Sequence, residues 1–157
     1  MGFALSDMQL ESTAFADGER IPARHTCEGE DVSPALTWTN VPEGTETFAI
    51  ICHDPDAPLI KPGTYGYVHW VLYNIPGSAS ELPEGMDEFT NGVTDFGDQK
   101  YGGPAPPPGH GTHRYFFTLF ALGRELSLEP GLTMWELLEK IEPDVIGMNR
   151  LMGTYSR

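Results

Sequence analysis

Fourteen prolines and eighteen glycines are spread between short apolar runs along this chain of 157 residues. Proline fixes its own backbone and removes a hydrogen-bond donor, while glycine permits turns that other residues avoid. This distribution of proline and glycine favours short strands joined by turns and long loops. The length fits one domain, residues 1–157, whose core needs no disulfide bond.

Four segments are predicted to be β-strands, because they are rich in aromatic or β-branched residues and bounded by turn-forming residues. They are Leu36–Thr39, Thr47–His53, Tyr67–Ile75 and Arg114–Leu122. Several such segments with turn signals between them indicate a mainly β fold, most simply a β-sandwich.

The C-terminal part of the chain is predicted to be helical. Thr133 and Glu136 form a capping-box pattern, and Pro143 ends the helical run. Apolar residues recur at helical spacing between them, at Met134, Leu137, Leu138 and Ile141. This apolar stripe is expected to pack on the sandwich, although a partner surface is the alternative. A second short helix is predicted over residues 144–152.

The charge restricts the possible partners. Twenty-three acidic residues face nine basic ones, which gives a formal net charge of −14. Such a field repels nucleic acids and anionic membrane surfaces, so neither is expected as a partner. The scattered acids suggest a solubility device for a salt-rich, halophilic cytoplasm, and a basic protein partner is the other interpretation.

The hydrophobicity pattern predicts no membrane insertion. No apolar run approaches the eighteen or more residues of a membrane span. The first twelve residues lack the basic and apolar regions of a secretory signal. The expected location is therefore the cytoplasm.

The segment from Asp95 to His113 has no periodicity and is rich in proline and glycine. A loop of this length in a small domain is usually functional or disordered. Its prolines favour a shaped rim around a site, whereas a ligand for a polyproline-binding domain is the minority interpretation.

Polar residues occur where the predicted strands meet loops. Asp54 and Asp56 follow the apolar run that ends at Cys52, and strand alternation places His113 and Tyr115 on one face. The same rule groups Tyr67, His69, Val71 and Tyr73 on one face, opposite Val68, Trp70, Leu72 and Asn74.

Two imidazoles, a phenol and a carboxylate are suited to a small oxyanion. A protonated histidine donates hydrogen bonds and positive charge, and tyrosine adds a neutral donor. A carboxylate such as Asp54 favours the charged form of a neighbouring imidazole. Zinc or iron could also use Asp and His ligands, but the spacing of His110 and His113 lies in a loop and gives this reading no support. We therefore expect neither a metal nor a cofactor.

Enzymatic activity is the alternative to binding. No Gly-x-Ser-x-Gly elbow and no recognisable catalytic cysteine signature occurs in the sequence. A hydrolase or lyase that uses Asp54 and His69 as acid and base stays open, because binding and catalytic histidines look alike in sequence.

Three motifs in order, Asp-Pro-Asp-Ala-Pro from Asp54, His-Trp-Val from His69 and Gly-Thr-His-Arg-Tyr from Gly111, are together specific. With them the chain resembles the phosphatidylethanolamine-binding protein family, in its bacterial and archaeal Raf-kinase-inhibitor-like branch, over nearly its whole length. The resemblance implies an antiparallel β-sandwich with short C-terminal helices and a small anion pocket.

The resemblance also implies the site residues and partners. The pocket falls on Asp54, Asp56, His69, Pro107, His113 and Tyr115, with Tyr67 and Trp70 less firmly placed. Arg114 is expected to form a structural ion pair. The implied function is non-enzymatic binding of phosphate or a phosphoethanolamine head group, with possible regulation of a kinase or protease and possible homodimers.

Overall fold

The computed structural model describes residues 3–58 and 65–157, so residues 1–2 and 59–64 of the predicted domain lie outside the described part. Within that part the chain forms eight strands, one α-helix and two 3-10 turns. The strands are β1 (Gln9–Glu11), β2 (Leu36–Thr39), β3 (Thr47–Asp54), β4 (Tyr67–Pro76), β5 (Glu81–Leu82), β6 (Thr90–Asn91), β7 (His113–Leu122) and β8 (Val145–Tyr155). The helix α1 spans Met134–Ile141, and the 3-10 turns span Ala23–His25 and Glu142–Asp144.

Two antiparallel sheets make up the sandwich. The smaller sheet has the order β1-β2-β5, and the larger has the order β6-β4-β3-β7-β8. Neighbouring strands in both sheets pair antiparallel. The predicted fold class is therefore confirmed.

The apolar character of β3 explains its central place in the larger sheet. Phe48, Ile50 and Cys52 face the core between the two sheets, and Ala49 and Ile51 face a second core beneath α1. A strand that is buried on both faces needs an apolar residue at nearly every position, and β3 satisfies that requirement.

The predicted strands and the first helix are confirmed. Leu36–Thr39 has the predicted bounds, and the other three strands each extend one residue further. The Thr133 hydroxyl accepts from the Glu136 amide at 3.1 Å, and the Glu136 carboxylate accepts from the Thr133 amide at 3.0 Å. The apolar stripe of α1 packs on the larger sheet, as expected.

The predicted second helix over residues 144–152 is wrong. After the 3-10 turn the chain extends as β8, which pairs with β7 along its length from Val145 to Tyr155. Glycine in β8 lets other segments pass close by: a Cβ at Gly147 would lie 2.8 Å from Pro42 Cγ and 3.0 Å from Ser6 Oγ. Long-range packing thus overrides the local pattern.

We expect Gly153→Ala to destabilise the protein. The added Cβ would lie 2.5 Å from Ile21 Cγ1 and 2.7 Å from Phe15 Cε2, and both of these side chains are buried. Overpacking of this kind costs about 1–3 kcal/mol, measurable as a shift in urea unfolding. Gly123→Ala is the control, because its Cβ would lie 3.3 Å from the exposed Ile146 side chain. Equal stability of the two variants would contradict this explanation.

Candidate functional site

A cavity of about 210 Å³ lies where β3, β4 and β7 meet the proline-rich loop. Its described polar walls are Asp54, Tyr67, His69, His113 and Tyr115. Its described apolar walls are Ala57, Pro58, Phe96, Ala105, Pro106 and Pro107. Its volume is below the about 300–1,000 Å³ of pockets for drug-sized ligands, so it suits a small molecule or one group of a larger ligand.

Asp54 ends β3 and anchors the floor of the site. One carboxylate oxygen accepts the Asp56 amide at 2.7 Å, and the other accepts Nδ1–H of His113 at 2.7 Å. Both side chains of the Asp54–His113 pair are almost fully buried. The carboxylate therefore fixes the orientation of the His113 ring and keeps a proton on Nδ1.

The second ring nitrogen of His113 is also occupied. Its Nε2 lies 2.8 Å from Nδ1 of His110. His110 is exposed on a turn between Gly109 and Gly111, whose φ angles are +75° and +86°. The three-residue spacing of His110 and His113 gives no support for a metal site, and the sequence analysis does not predict this contact. That spacing is the only sequence signal for the contact.

His69 is neutral at ordinary pH. Its Nδ1–H donates to the Gly102 carbonyl at 2.7 Å. Burial lowers the pKa of the imidazole below its ordinary value of 6.5, although the Gly102 carbonyl and Asp54 act in the opposite direction. With the proton on Nδ1, Nε2 is a hydrogen-bond acceptor until the ring is protonated.

A β-bulge brings His69 to the cavity and breaks the predicted alternation of β4. The register shifts between the pairs Cys52–Trp70 and His53–Val68, so His69 has no partner on β3. Tyr67 and His69 line the cavity, but Val71 and Tyr73 face the core beneath α1. The expectation that all four share one face is therefore wrong.

Trp70 does not line the described cavity. Its side chain is 1% exposed and lies in the core between the sheets, where it packs edge-to-face on Tyr101 with ring centroids 5.5 Å apart. The bulge turns Trp70 inward beside His69, which explains why the motif places it near the site without bringing it into the wall.

The Tyr115 ring lies near the rings of both histidines in the cavity wall. Its ring centroid lies 5.1 Å from that of His69 and 6.5 Å from that of His113. Burial, reinforced by Asp54, raises the pKa of the Tyr115 phenol far above its usual range. Burial likewise raises the pKa of Tyr67. Both phenols therefore stay protonated and able to donate a hydrogen bond.

Asp56 positions the site from outside the cavity wall. Its carboxylate accepts Nε and Nη2 of Arg114, each at 2.9 Å, and also the Arg114 amide at 2.9 Å. The hydrogen bond from Arg114 is the main reason that the pKa of Asp56 is lowered. The ion pair expected for Arg114 is present, and the amide of Asp56 supports Asp54.

The proline-rich loop forms a fixed rim. The Pro104 carbonyl accepts the Cys27 amide at 3.0 Å, and Asp31 accepts the Gly103 amide at 2.7 Å. Arg157 Nε donates to the Pro106 carbonyl at 2.7 Å. These bonds hold both ends of the segment whose exposed tip includes Pro107.

The hydrogen bonds of Asp54 bear on the alternative of a hydrolase or lyase that uses Asp54 and His69 as acid and base. In the part of the chain that the structure describes, Asp54 bonds to His113, and no hydrogen bond joins it to His69.

Residues 3–58 and 65–157 contain no group of three or more His, Cys, Asp or Glu side chains placed to hold a metal ion. No helix within these residues is both long and apolar enough to cross a membrane.

Fold and site together define a two-sheet β-sandwich protein with a small polar cavity at one end. The phosphatidylethanolamine-binding protein family matches residues 11–156, and the chain belongs to this family.

Known proteins agree with this assignment. The chain is 43% identical to a UPF0098 protein of Aquifex aeolicus, over 96% of this chain and 89% of that protein. It is also 43% identical to a UPF0098 protein of Methanothermobacter thermautotrophicus, over 96% and 99% of the two chains.

Two crystal structures share the fold. A phosphatidylethanolamine-binding protein homologue from Chlamydia trachomatis superposes with a TM-score of 0.89 and 37% identity, over 96% of this chain and 97% of that one. E. coli YbcL, a member of the mammalian PEBP family, superposes with a TM-score of 0.88 and 30% identity, over 97% and 99% of the two chains.

Proposed function

We propose that this protein is a non-enzymatic module that binds a small oxyanion, such as phosphate or a phosphoethanolamine head group. The observation that carries the proposal is the convergence of Asp54, His69, His113 and Tyr115 around one small cavity. The name of its family, phosphatidylethanolamine-binding protein, supports a ligand of this class.

The donors and acceptors of the cavity favour a ligand that keeps a proton of its own at neutral pH. Tyr115 offers an O–H donor, whereas neutral His69 offers an acceptor at Nε2. No Lys or Arg is found among the described wall residues. A hydrogen phosphate fits this pattern, because its P–OH donates to His69 and its other oxygens accept from the phenol.

Lower pH is expected to strengthen binding of a fully ionised anion. Since the pKa of His69 is lowered by burial, its ring becomes a charged donor only in acid. Without ligand, the same shift makes the unfolded chain bind more protons below about pH 6.5, so folding stability falls as pH falls. A bound anion offsets that loss by mass action.

Titration with inorganic phosphate and with phosphoethanolamine tests the proposal. We expect saturable NMR shifts of the His69 and His113 ring signals at millimolar ligand. Sulfate, which stays fully ionised, should gain affinity from about pH 7 to about pH 5.5, because the charged His69 ring becomes a donor. His69→Gln should weaken binding about tenfold or more in acid, because a hydrogen bond to a charged group contributes about 1.5–3 kcal/mol.

His53→Gln is the matched control for this titration. His53 lies on β3, and its Nε2–H donates to the Tyr65 carbonyl at 2.7 Å, outside the described cavity wall. Its substitution should leave affinity unchanged. The proposal fails if wild-type ring signals do not move at millimolar phosphate in mild acid, or if His69→Gln binds as wild type does.

The finer expectations from the family extend this proposal. Regulation of a kinase or protease would use the rim, where Pro107 and Pro108 are exposed. Homodimer formation, a cytoplasmic location and adaptation of the acidic surface to high salt remain predictions.

A further inference from the structure

His110 contacts the wall residue His113 from outside the described cavity wall. Asp54, His113 and His110 form a continuous hydrogen-bonded chain that leads from the buried floor to solvent. His110 lies at the exposed end, on a turn flanked by two glycines with positive φ. The chain therefore connects a wall residue of the cavity to the solvent.

Counting protons shows that this contact depends on pH. Asp54 keeps a proton on Nδ1 of His113, so the His110–His113 bond uses Nε2 of His113 and Nδ1 of His110. One hydrogen bond contains one proton. With no proton added, His110 donates; with one proton added, either ring can donate to the other. With two added, both facing nitrogens carry hydrogen and the bond is lost.

We propose that His110 is a proton-controlled cap on His113, which holds Nε2 of His113 near neutral pH and frees it for an oxyanion when both rings are protonated. This inference rests on the proposed anion-binding function and makes His110 a further determinant of that site.

Charged and titratable groups surround the pair on several strands. From β3 and β7, the Asp54 carboxylate and the Tyr115 phenol face His113, and the Asp56–Arg114 pair lies beyond them. From β8, Tyr155 lies opposite His113 and donates to Glu28, with Arg20 over its ring. On β4, His69 and Tyr67 complete the wall.

The rim places Arg157 near the pair: its carbonyl accepts the Gly109 amide beside His110 at 3.0 Å, and its guanidinium Nε donates to the Pro106 carbonyl at 2.7 Å. Asp54 favours the first added proton on the His110–His113 pair. The second proton meets the positive charge of the first, so the hydrogen bond should survive the first added proton and break only on the second.

NMR titration of the ring nitrogens without ligand tests the coupling. In the wild type, the His113 signals should change in two steps as the pH is lowered, because His113 shares one hydrogen bond with His110. In His110→Ala they should change in one step. Identical titration of His113 in both proteins would overturn the inference, whatever the protein binds.

Sulfate is the probe for the effect on binding, because its charge is constant from neutral pH to mild acid. We expect His110→Ala to bind sulfate about three- to tenfold more tightly than wild type in mild acid, because one added proton makes the free His113 Nε2–H a donor to sulfate, whereas in wild type that proton stays in the bond to His110. The difference should disappear once both rings of the wild type are protonated, and neither protein should bind sulfate through neutral His113. His110→Asn, whose amide can replace Nδ1 without titrating, should bind more weakly than wild type in acid.

The outcomes separate the two proposals. If no protein binds sulfate at any pH, the anion-binding function fails and the cap has no ligand to admit, while the two-step titration still decides the coupling. If wild type and His110→Ala bind sulfate equally at every pH, the cap is wrong and the anion site stands.

Discussion

Asp54→Ala is expected to lower the free energy of unfolding by about 3–5 kcal/mol, because two hydrogen-bond donors of the site lose their acceptor at about 1–3 kcal/mol each. The substitution leaves Nδ1–H of His113 without an acceptor in a site where that residue is only 2% exposed. It also removes the acceptor of the Asp56 amide, which holds the turn after β3. Urea unfolding at neutral pH measures the loss.

A double-mutant cycle distinguishes the pair from simple truncation. His113→Ala alone leaves the Asp54 carboxylate buried without its partner, which is also costly. The double variant removes both polar groups, so its loss should be well below the sum of the two single losses. Additive losses would show that Asp54 and His113 do not stabilise each other. His110→Ala, at the exposed end of the chain, should change stability little.

The strands were predictable because their sequence signals are local. The apolar run from Thr47 to Cys52 predicts a buried strand wherever it is placed, and β3 lies at the centre of its sheet. The capping box at Thr133 likewise predicts the start of α1 without knowledge of tertiary contacts. The motifs after β3, in β4 and in β7 placed most of the cavity wall, because they follow strands that pair with one another.

The failures concern features set by distant contacts. Residues 145–155 become a strand because β7 offers a free edge, and Gly153 admits Ile21 and Phe15 against it. The bulge at His69 depends on the register between β3 and β4, and the rule that strand residues alternate between two faces carries no information about that register. The His110 contact depends on how the turn at Gly109 and Gly111 folds back over His113.

Charge in the cavity also depended on the fold. Residue types alone suggested two protonated histidines around an anion. Burial lowers the pKa of His69, and His110 occupies the outer nitrogen of His113. The cavity therefore offers neutral His69 beside the Asp54 carboxylate near pH 7 and a charged His69 donor in acid, which makes pH the main variable for any binding experiment.

Trp70→Ala is expected to lower the free energy of unfolding by about 3–5 kcal/mol, the range for deleting a buried aromatic side chain. Trp70 is 1% exposed, and its indole fills the core between the sheets against Tyr101. Trp135→Ala is the matched control, since that indole on α1 is 55% exposed. Its loss should stay below about 1 kcal/mol. Similar losses for the two variants in urea unfolding would contradict the core placement.

Trp70→Phe then separates a packing role from a binding role. Phenylalanine keeps most of the contact with Tyr101 and removes the indole N–H, so the variant should fold with a smaller loss than Trp70→Ala. If Trp70 acts only through the core, phosphate affinity of Trp70→Phe should match wild type at each pH, whereas His69→Gln loses affinity. A weakening of Trp70→Phe comparable to that of His69→Gln would instead place the indole in contact with the ligand, as the family motif suggested. The comparison works because the bulge in β4 puts these neighbouring residues in different surroundings, one in the cavity wall and one in the core.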